Sequence, residues 1–240
     1  MNDRLIVALD VKTVDEAREL VRRLGDQVHF YKIGMWLFFD RAVHALIDEL
    51  IASGKKVFLD YKMYDIPETV RRGVASVAAR GASIVTVHGD PEIIAAAVEG
   101  AANTELMVFA ITVLTSQDNG SLRLMGYEKT VSELIELRAE LAGRAGAHGL
   151  IASAADDLPV LRSRAGGVVR IATPGIRLPS DAVGDQKRVA TPAAAIKQGA
   201  DYLVVGRPIT RAPDPAAAAR AVLADMFAGA EPASCPATRS

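Results

Sequence analysis

Short apolar runs alternate along the chain with longer segments in which apolar residues recur at helical spacing. The segments with helical spacing include 14–25, 40–54 and 67–81, each of which ends on a glycine, as helices often do. Continuously apolar strands separated by amphipathic helices are typical of a parallel sheet covered by helices. The predicted strands are eight runs rich in aliphatic and β-branched residues: 5–10, 28–34, 56–60, 83–89, 106–112, 148–153, 168–175 and 202–207.

Eight strand and helix units in 240 residues predict an α/β fold of the (β/α)8 type, the TIM barrel. A doubly wound open sheet is the alternative, but it usually has fewer strands and a glycine-rich turn after the first, where this chain has residues 10–12, Asp-Val-Lys. No linker or low-complexity tract divides the chain, so we predict a single barrel domain over residues 1–228. The helical pattern fades there, and we expect residues 229–240 to be a disordered tail.

Composition narrows the classes of function. A chain that is 50% hydrophobic and 24% charged can bury a large core. With 28 Lys and Arg against 29 Asp and Glu, the net charge of −1 gives no basic field for nucleic acid, so a phosphate must be bound locally. Cys235 is the only cysteine, which excludes a disulfide framework and favours the cytoplasm. No run of about 18 apolar residues occurs, so we expect neither a signal peptide nor a membrane span.

Polar residues gather where the predicted strands end. In a (β/α)8 barrel the carboxyl ends of all strands open onto one mouth, where active sites lie. Each residue also has an explanation without function, since a lone charge is often a rim residue and a lone histidine is often packed and hydrogen-bonded. Their shared location favours an array of paired charges. The strand ends supply Asp10, Lys32, Asp60, Lys62, His88, the segment 112–115, Ser153, the segment 174–177, Gly206 and Arg207.

The third strand end carries Asp60 and Lys62, followed by Asp65. If the extended backbone continues through Lys62, its side chain and that of Asp60 point the same way, into the mouth. Asp65 has a structural alternative, because residues 65–68 fit a capping box in which Asp65 caps a helix and Glu68 reaches back. Capping and catalysis are compatible at this position.

The turns after the last two predicted strands suit a phosphate group. Gly206 lets the backbone approach an anion closely, and Arg207 can form a bidentate contact with phosphate. Residues 173–177 offer a second rigid turn and a second arginine, Arg177. Barrels often bind phosphate with the loops after strands 7 and 8, so the two turns together predict a phosphate-bearing ligand.

These motifs resemble those of the orotidine 5′-phosphate decarboxylase family, over almost the whole chain except the tail. The family signature Asp-x-Lys-x-x-Asp-Ile-x-x-Thr is present at residues 60–69. The resemblance implies a TIM barrel that decarboxylates orotidine 5′-monophosphate to UMP in de novo pyrimidine biosynthesis, without a cofactor. The other matching segments are 7–10, 30–34, 111–116, 172–178, 184–192 and 199–210.

The resemblance also implies a role for each charged residue of the array. Lys62 donates a proton to C6 of the pyrimidine after carbon dioxide leaves, and Asp60 stands beside the substrate carboxylate. Lys32 holds the charge network together and contacts the ribose, and Asp10 binds ribose hydroxyls.

By the same resemblance, two subunits of a homodimer build each site. Asp65, Ile66 and Thr69 reach into the partner's site. Thr115 hydrogen-bonds the pyrimidine edge, and the long loop 174–190 is expected to be a lid. The remaining substrate-binding residues, most of them around the phosphate, are Pro174, Arg177, Gln186, Gly206 and Arg207.

Two other functions fit parts of this pattern. The magnesium-dependent 3-keto-L-gulonate 6-phosphate decarboxylase and hexulose-phosphate synthase share the fold and the Asp-x-Lys-x-x-Asp core. In those enzymes the second strand ends in a metal-binding Glu, whereas Lys32 would repel the ion. The other alternative is a non-catalytic nucleotide-binding barrel, and the complete set of Asp60, Lys62 and Asp65 argues against it.

Overall fold

Eight parallel strands pair in chain order into a closed barrel in the computed structural model of the protein, which describes residues 2–178 and 190–230. The first strand pairs with the last, with Leu5 opposite Leu203 and Val7 opposite Val205. This closure confirms the predicted (β/α)8 barrel and excludes the open sheet. The strands are β1 (Leu5–Ala8), β2 (Phe30–Gly34), β3 (Lys56–Met63), β4 (Ile84–Val87), β5 (Met107–Ile111), β6 (Gly149–Ile151), β7 (Arg170–Thr173) and β8 (Tyr202–Val205).

Helices connect the strands around the outside of the barrel. In the described part they are α1 (Val14–Leu24), α2 (Met35–Phe38), α3 (Val43–Ala52), α4 (Pro67–Ala79), α5 (Pro91–Gly100), α6 (Asn119–Leu124), α7 (Val131–Arg144), α8 (Leu158–Arg164), α9 (Pro192–Lys197), α10 (Arg207–Thr210) and α11 (Pro215–Ala230). The three segments singled out for helical spacing form α1, α3 and α4. Helix α11 continues two residues past the predicted end of the barrel, and residues 231–240, expected to be a tail, lie outside the described residues.

Alternate residues of the strands fill the inside of the barrel, because successive side chains of a strand point to opposite faces. Gly149 makes room for the ring of Phe109, since a Cβ at this glycine would lie 2.4 Å from Phe109 Cζ. The opposite strand faces belong to a larger apolar cluster shared with the helices. The interior cluster consists of Ile6, Ala8, Phe30, Phe58, Ile84, Phe109, Ala172 and Val204.

The capping box predicted at residues 65–68 is wrong. Helix α4 begins at Pro67, and its N-cap residue is Ile66, which makes no side-chain capping bond. The Asp65 carboxylate instead accepts a hydrogen bond from the Ile66 N–H at 2.6 Å. Hydrogen bonds from the two following arginines, 71 and 72, hold Glu68 and lower its pKa to about 2. Glu68 therefore pairs with the arginines three and four residues further along the same helix, and not with the backbone N–H that a capping box requires.

Candidate active site

Four charged side chains of alternating sign form a line across the mouth of the barrel. The Lys32 ammonium on β2 donates to Asp10 Oδ1 at 3.0 Å and lies 3.3 Å from Asp60 Oδ2. The Lys62 ammonium on β3 donates to Asp60 Oδ1 at 2.8 Å. Two lysines and two aspartates neutralise each other, as burial at one mouth requires. The four residues predicted from the ends of the first three strands therefore lie together.

Burial and neighbouring charges shift the pKa values of Lys32 and Asp60 in opposite directions. Burial disfavours the ammonium of Lys32, but the carboxylates of Asp60 and Asp10 outweigh it and raise the Lys32 pKa above its ordinary value. Burial likewise disfavours ionised Asp60, but the charges of Lys32 and Lys62 lower its pKa below the ordinary value. Both groups are therefore charged at neutral pH, and the site holds a fixed carboxylate between two fixed cations.

The glycine at the end of β2 leaves space beside the paired Lys32 and Asp10. A Cβ built at Gly34 would lie 3.0 Å from Lys32 Nζ and 3.1 Å from Asp10 Oδ1. With a larger residue, the Lys32 ammonium and the Asp10 carboxylate would have to shift by a few tenths of an ångström. Gly34 is therefore part of the site, because the absence of a side chain there leaves space for the ion pair.

Lys62 does not continue the extended backbone that the sequence suggested. Its φ is +50°, in the left-handed region, and the pairing of β3 with β4 shifts register between Leu59 and Met63. The condition under which the two side chains were expected to point the same way is therefore not met, because the strand bulges at Lys62. The expected proximity of the Lys62 and Asp60 side chains is nevertheless observed.

Two cavities meet at the charged line. The first, of about 170 Å³, has largely apolar walls from strands β3, β5, β6 and β8 and contains the predicted residues Thr115 and Pro174. Lys32, Asp60 and Lys62 form its charged side. A flat ring with one charged edge fits such a space, because its faces contact apolar walls and its edge meets the ammonium groups.

The second cavity is wider, about 450 Å³, and extends from the charged line to the ends of β7 and β8. Its lining includes Asp10 together with Arg177, Gly206 and Arg207. The two arginines predicted to bind phosphate therefore line one cavity, although their loops are 30 residues apart in sequence.

The remaining predicted residues lie elsewhere. Asp65, Ile66 and Thr69 are exposed where α4 begins, and none of them lines either cavity. Gln186, and residues 179–189 of the predicted lid, lie outside the described residues. Within this chain alone, the described structure does not bring the second half of the signature to the charged line.

The structure differs from the sequence prediction at two residues near the end of β4, His88 and Thr86. The His88 ring packs on Tyr64 with centroids 4.4 Å apart, but its buried Nδ1 has no hydrogen-bond partner among the described residues, so the expected hydrogen bond is missing there. Thr86 was not predicted to be a site residue, but its buried hydroxyl donates to Asp60 Oδ1 at 2.9 Å. The available signal was position, since Thr86 is two residues before His88 and shares its side of the strand.

Within the described ranges 2–178 and 190–230, no three His, Cys, Asp or Glu side chains are grouped so that they could hold a metal ion. The helices of these ranges are all too short or too polar to cross a bilayer.

A closed parallel barrel with paired lysines and aspartates at its strand ends, beside a cavity, is an enzyme of the (β/α)8-barrel class. The model of the "Orotidine 5′-phosphate decarboxylase / HUMPS family" matches residues 3–222. The chain therefore belongs to this family, and it is a carboxy-lyase.

Relatives of known name agree with the family match. A Bradyrhizobium sp. (strain BTAi1) protein named orotidine 5′-phosphate decarboxylase is 49% identical over 224 residues, covering 93% of this chain and 91% of the relative. A Rhodopseudomonas palustris (strain BisA53) protein of the same name is 49% identical over 228 residues, covering 95% and 96%. The crystal structure of orotidine 5′-phosphate decarboxylase from Lactobacillus acidophilus superposes with a TM-score of 0.82 at 34% identity, covering 93% and 99%.

Proposed function

We propose that this chain decarboxylates orotidine 5′-monophosphate to UMP in de novo pyrimidine biosynthesis, without a cofactor. The observation that carries the proposal is the pairing of Lys62 with Asp60, at 2.8 Å, where an apolar cavity meets one lined by arginines. A pyrimidine ring fits the first space and a ribose 5-phosphate the second. The names of the relatives supply the substrate.

The reaction needs a stabilised negative charge and then a proton at the same carbon. When the C6–carboxylate bond breaks, its electron pair stays on C6 and carbon dioxide leaves. The Lys62 ammonium, held near this carbon by Asp60, stabilises the pair and then transfers a proton to it. Lys62 is left as a neutral amine and regains its proton from water. The fixed carboxylate of Asp60 disfavours the substrate carboxylate beside it, and that repulsion is relieved as carbon dioxide departs.

Lys32 and Asp10 support this arrangement in the proposal. Lys32 keeps Asp60 ionised, because its charge lowers the pKa of that buried carboxyl. Asp10, on the side of the wider cavity, accepts hydrogen bonds from ribose hydroxyls. Lys32 lies between the two carboxylates and contacts both, so it can also donate to the ribose.

Binding of the phosphate supplies energy far from the reacting carbon. We assign the phosphate to Arg207 and the backbone of Gly206, with Arg177 and Gln186 from the preceding loop. Interactions with a remote group can be used to hold the reacting carboxylate against Asp60. Thr115 and Pro174 contact the pyrimidine in this proposal.

We also propose that the enzyme is a homodimer in which Asp65, Ile66 and Thr69 enter the partner's site. Large apolar side chains that are exposed in or just after α2 and just before α4 support a covered surface, because isolated chains seldom expose many such groups. Their exposed fractions lie between 63% and 80%: Trp36, Phe39, Tyr64 and Ile66. A cytoplasmic location is part of the same proposal and is supported by the single cysteine of the chain.

The magnesium-dependent alternative is disfavoured by Lys32. Its ammonium occupies the space between two carboxylates, 3.0 Å from one and 3.3 Å from the other, where a metal-binding enzyme of this fold would need an open oxygen cage.

The test uses the purified full chain treated with a chelator. We expect it to remove the ultraviolet absorbance of orotidine 5′-monophosphate and release UMP, with no loss of rate relative to the untreated protein. Activity that disappears with the chelator and returns with magnesium would favour the alternative enzymes. UMP binding without turnover would favour a nucleotide-binding barrel and refute the proposal.

A further inference from the structure

The hydroxyl of Thr86 connects the two central charged residues of the site. Thr86 lies on β4 and is completely buried. Its Oγ1 accepts a hydrogen bond from the backbone N–H of Lys62 at 3.0 Å and donates one to Asp60 Oδ1 at 2.9 Å. The directions are fixed, because an amide N–H can only donate and the hydroxyl proton is then left for the carboxylate.

The Lys62 end of this connection lies at the bulge of β3. A lysine with a φ of +50° adopts a conformation that residues other than glycine rarely take. Where the strand departs from regular pairing with β4, a buried backbone N–H needs another acceptor. Thr86 supplies that acceptor, so its hydroxyl holds the backbone in the conformation that presents the Lys62 side chain to Asp60.

The Asp60 end of the connection orients a carboxylate that already pairs with two ammonium groups. Asp60 Oδ1 accepts from both Thr86 and Lys62, while Oδ2 faces Lys32. With donors on both oxygens, the carboxylate cannot rotate without breaking a charge-assisted bond.

We propose that Thr86 is a positioning residue for the decarboxylation, acting through Lys62 and Asp60 rather than on the substrate. The inference rests on the proposed function. Thr86 lines neither of the two cavities that meet at the charged line, so a direct contact with substrate is not part of its role. The arginines of the wider cavity are untouched by its removal, so the effect should fall on kcat rather than KM.

The experiment compares Thr86→Val, Thr86→Ala and Thr86→Ser with the unchanged full chain. Valine keeps the shape and removes the hydroxyl, while serine keeps the hydroxyl and removes the methyl group. Thr104→Val is the control, because the Thr104 hydroxyl also joins two groups, accepting from the Leu106 N–H at 3.3 Å and donating to the Ala101 carbonyl at 2.6 Å, but lies before β5, at the other end of the barrel. If Thr86→Val does not fold, the Ala and Ser variants still isolate the hydroxyl.

We expect kcat to fall about tenfold to a hundredfold in Thr86→Val and Thr86→Ala, with KM within about threefold, and Thr86→Ser to recover most of the loss. Loss of a donor to Asp60 raises the pKa of that carboxyl, so the acidic limb of the kcat profile should move to higher pH. Equal loss in the Ala and Ser variants would assign the effect to packing, and equal loss in Thr104→Val would assign it to a general loss of structure; either result would overturn the inference.

Amide hydrogen exchange at Lys62 measures the positioning without any turnover. Exchange should be about tenfold faster or more in Thr86→Val and unchanged in Thr104→Val. If the unchanged chain did not decarboxylate its substrate, the proposed function would fail, while this exchange result would still decide whether Thr86 holds Lys62. Unaltered exchange in Thr86→Val would overturn the inference whatever the activity.

Discussion

Replacing Lys32 by methionine removes the cation that lies between Asp10 and Asp60. Methionine keeps much of the length of lysine and packs well in an apolar surrounding, so the change is mainly one of charge. Asp60, whose side chain is 14% exposed, then keeps Lys62 and Thr86 as its partners among the described residues. We expect the folded state to lose much of its stability at neutral pH.

The magnitude follows from the distance between the ammonium and the carboxylate. At 3.3 Å, two unit charges interact by about 5 kcal/mol with an effective dielectric constant of about 20. The variant no longer buries an ammonium group, which offsets part of this lost interaction energy. In addition, Lys62 still pairs with Asp60. Removal of one partner from a buried pair typically costs about 3 to 5 kcal/mol, so we expect about 3 kcal/mol here.

The loss should depend on pH through Asp60. In the unchanged protein the folded-state pKa of Asp60 lies below its ordinary value of 3.8, so ionised Asp60 contributes stability above that pH and loses it as the pH falls through the folded pKa. Without Lys32, burial raises the folded pKa. The penalty of Lys32→Met should therefore shrink as the pH is lowered from 7 toward 5.

The assay is urea unfolding followed by circular dichroism at pH 7 and pH 5. Lys56→Met is the matched control, since Lys56 pairs with Asp3 at 2.9 Å on the surface and should contribute less than about 1 kcal/mol. A Lys32→Met penalty as small as that of the control at pH 7, or one that grows at pH 5, would refute the electrostatic interpretation.

Three further predictions concern binding, assembly and packing. Arg207→Ala should raise KM for the phosphorylated substrate about a hundredfold, with little effect on the same compound lacking phosphate, measured by steady-state kinetics. Mixing inactive Lys62→Ala and Asp65→Ala chains should restore up to about a quarter of the activity, because half of the dimers are hybrids with one intact site. Gly34→Ala should reduce kcat at least about tenfold, since its Cβ would lie 3.0 Å from the Lys32 ammonium. Gly73→Ala in α4 is its control and should be fully active, because the nearest atom to its Cβ would be 3.7 Å away.

Each of these has a contradicting result. Equal losses on both substrates would remove Arg207 from the phosphate site. Hybrid dimers shown to form but inactive would mean that each site uses its own Asp65. An active Gly34→Ala would mean that the ion pair behind it tolerates displacement.

The barrel was predictable because its strands are continuously apolar and its helices are amphipathic. Parallel strands buried on both faces leave little choice of residue, so a run such as 202–207 identifies β8 with an error of two residues at one end. The direction of strand ends then places polar residues at one mouth, which correctly grouped Asp10, Lys32 and Asp60. The barrel topology therefore brings residues that are far apart in sequence close together in space.

The capping box and the bulge at Lys62 both depend on contacts with residues outside the short motif at 60–69 or outside the part of it that predicted them. The capping box failed because Glu68 has two arginines in reach, which a motif of four residues does not consider. The bulge at Lys62 was missed because it depends on the partner strand, and its stabilising hydroxyl is on β4, 24 residues away. Periodicity carries no information on such an irregularity.

The most direct test of the central claim, that Lys62 provides the proton at C6, is single-turnover decarboxylation by Lys62→Ala with UMP binding measured on the same sample. We expect UMP to bind within about tenfold of the unchanged protein, because the arginine-lined cavity is intact, while turnover falls at least about ten-thousandfold. Turnover within tenfold of the unchanged protein, with binding intact, would contradict the assignment of Lys62.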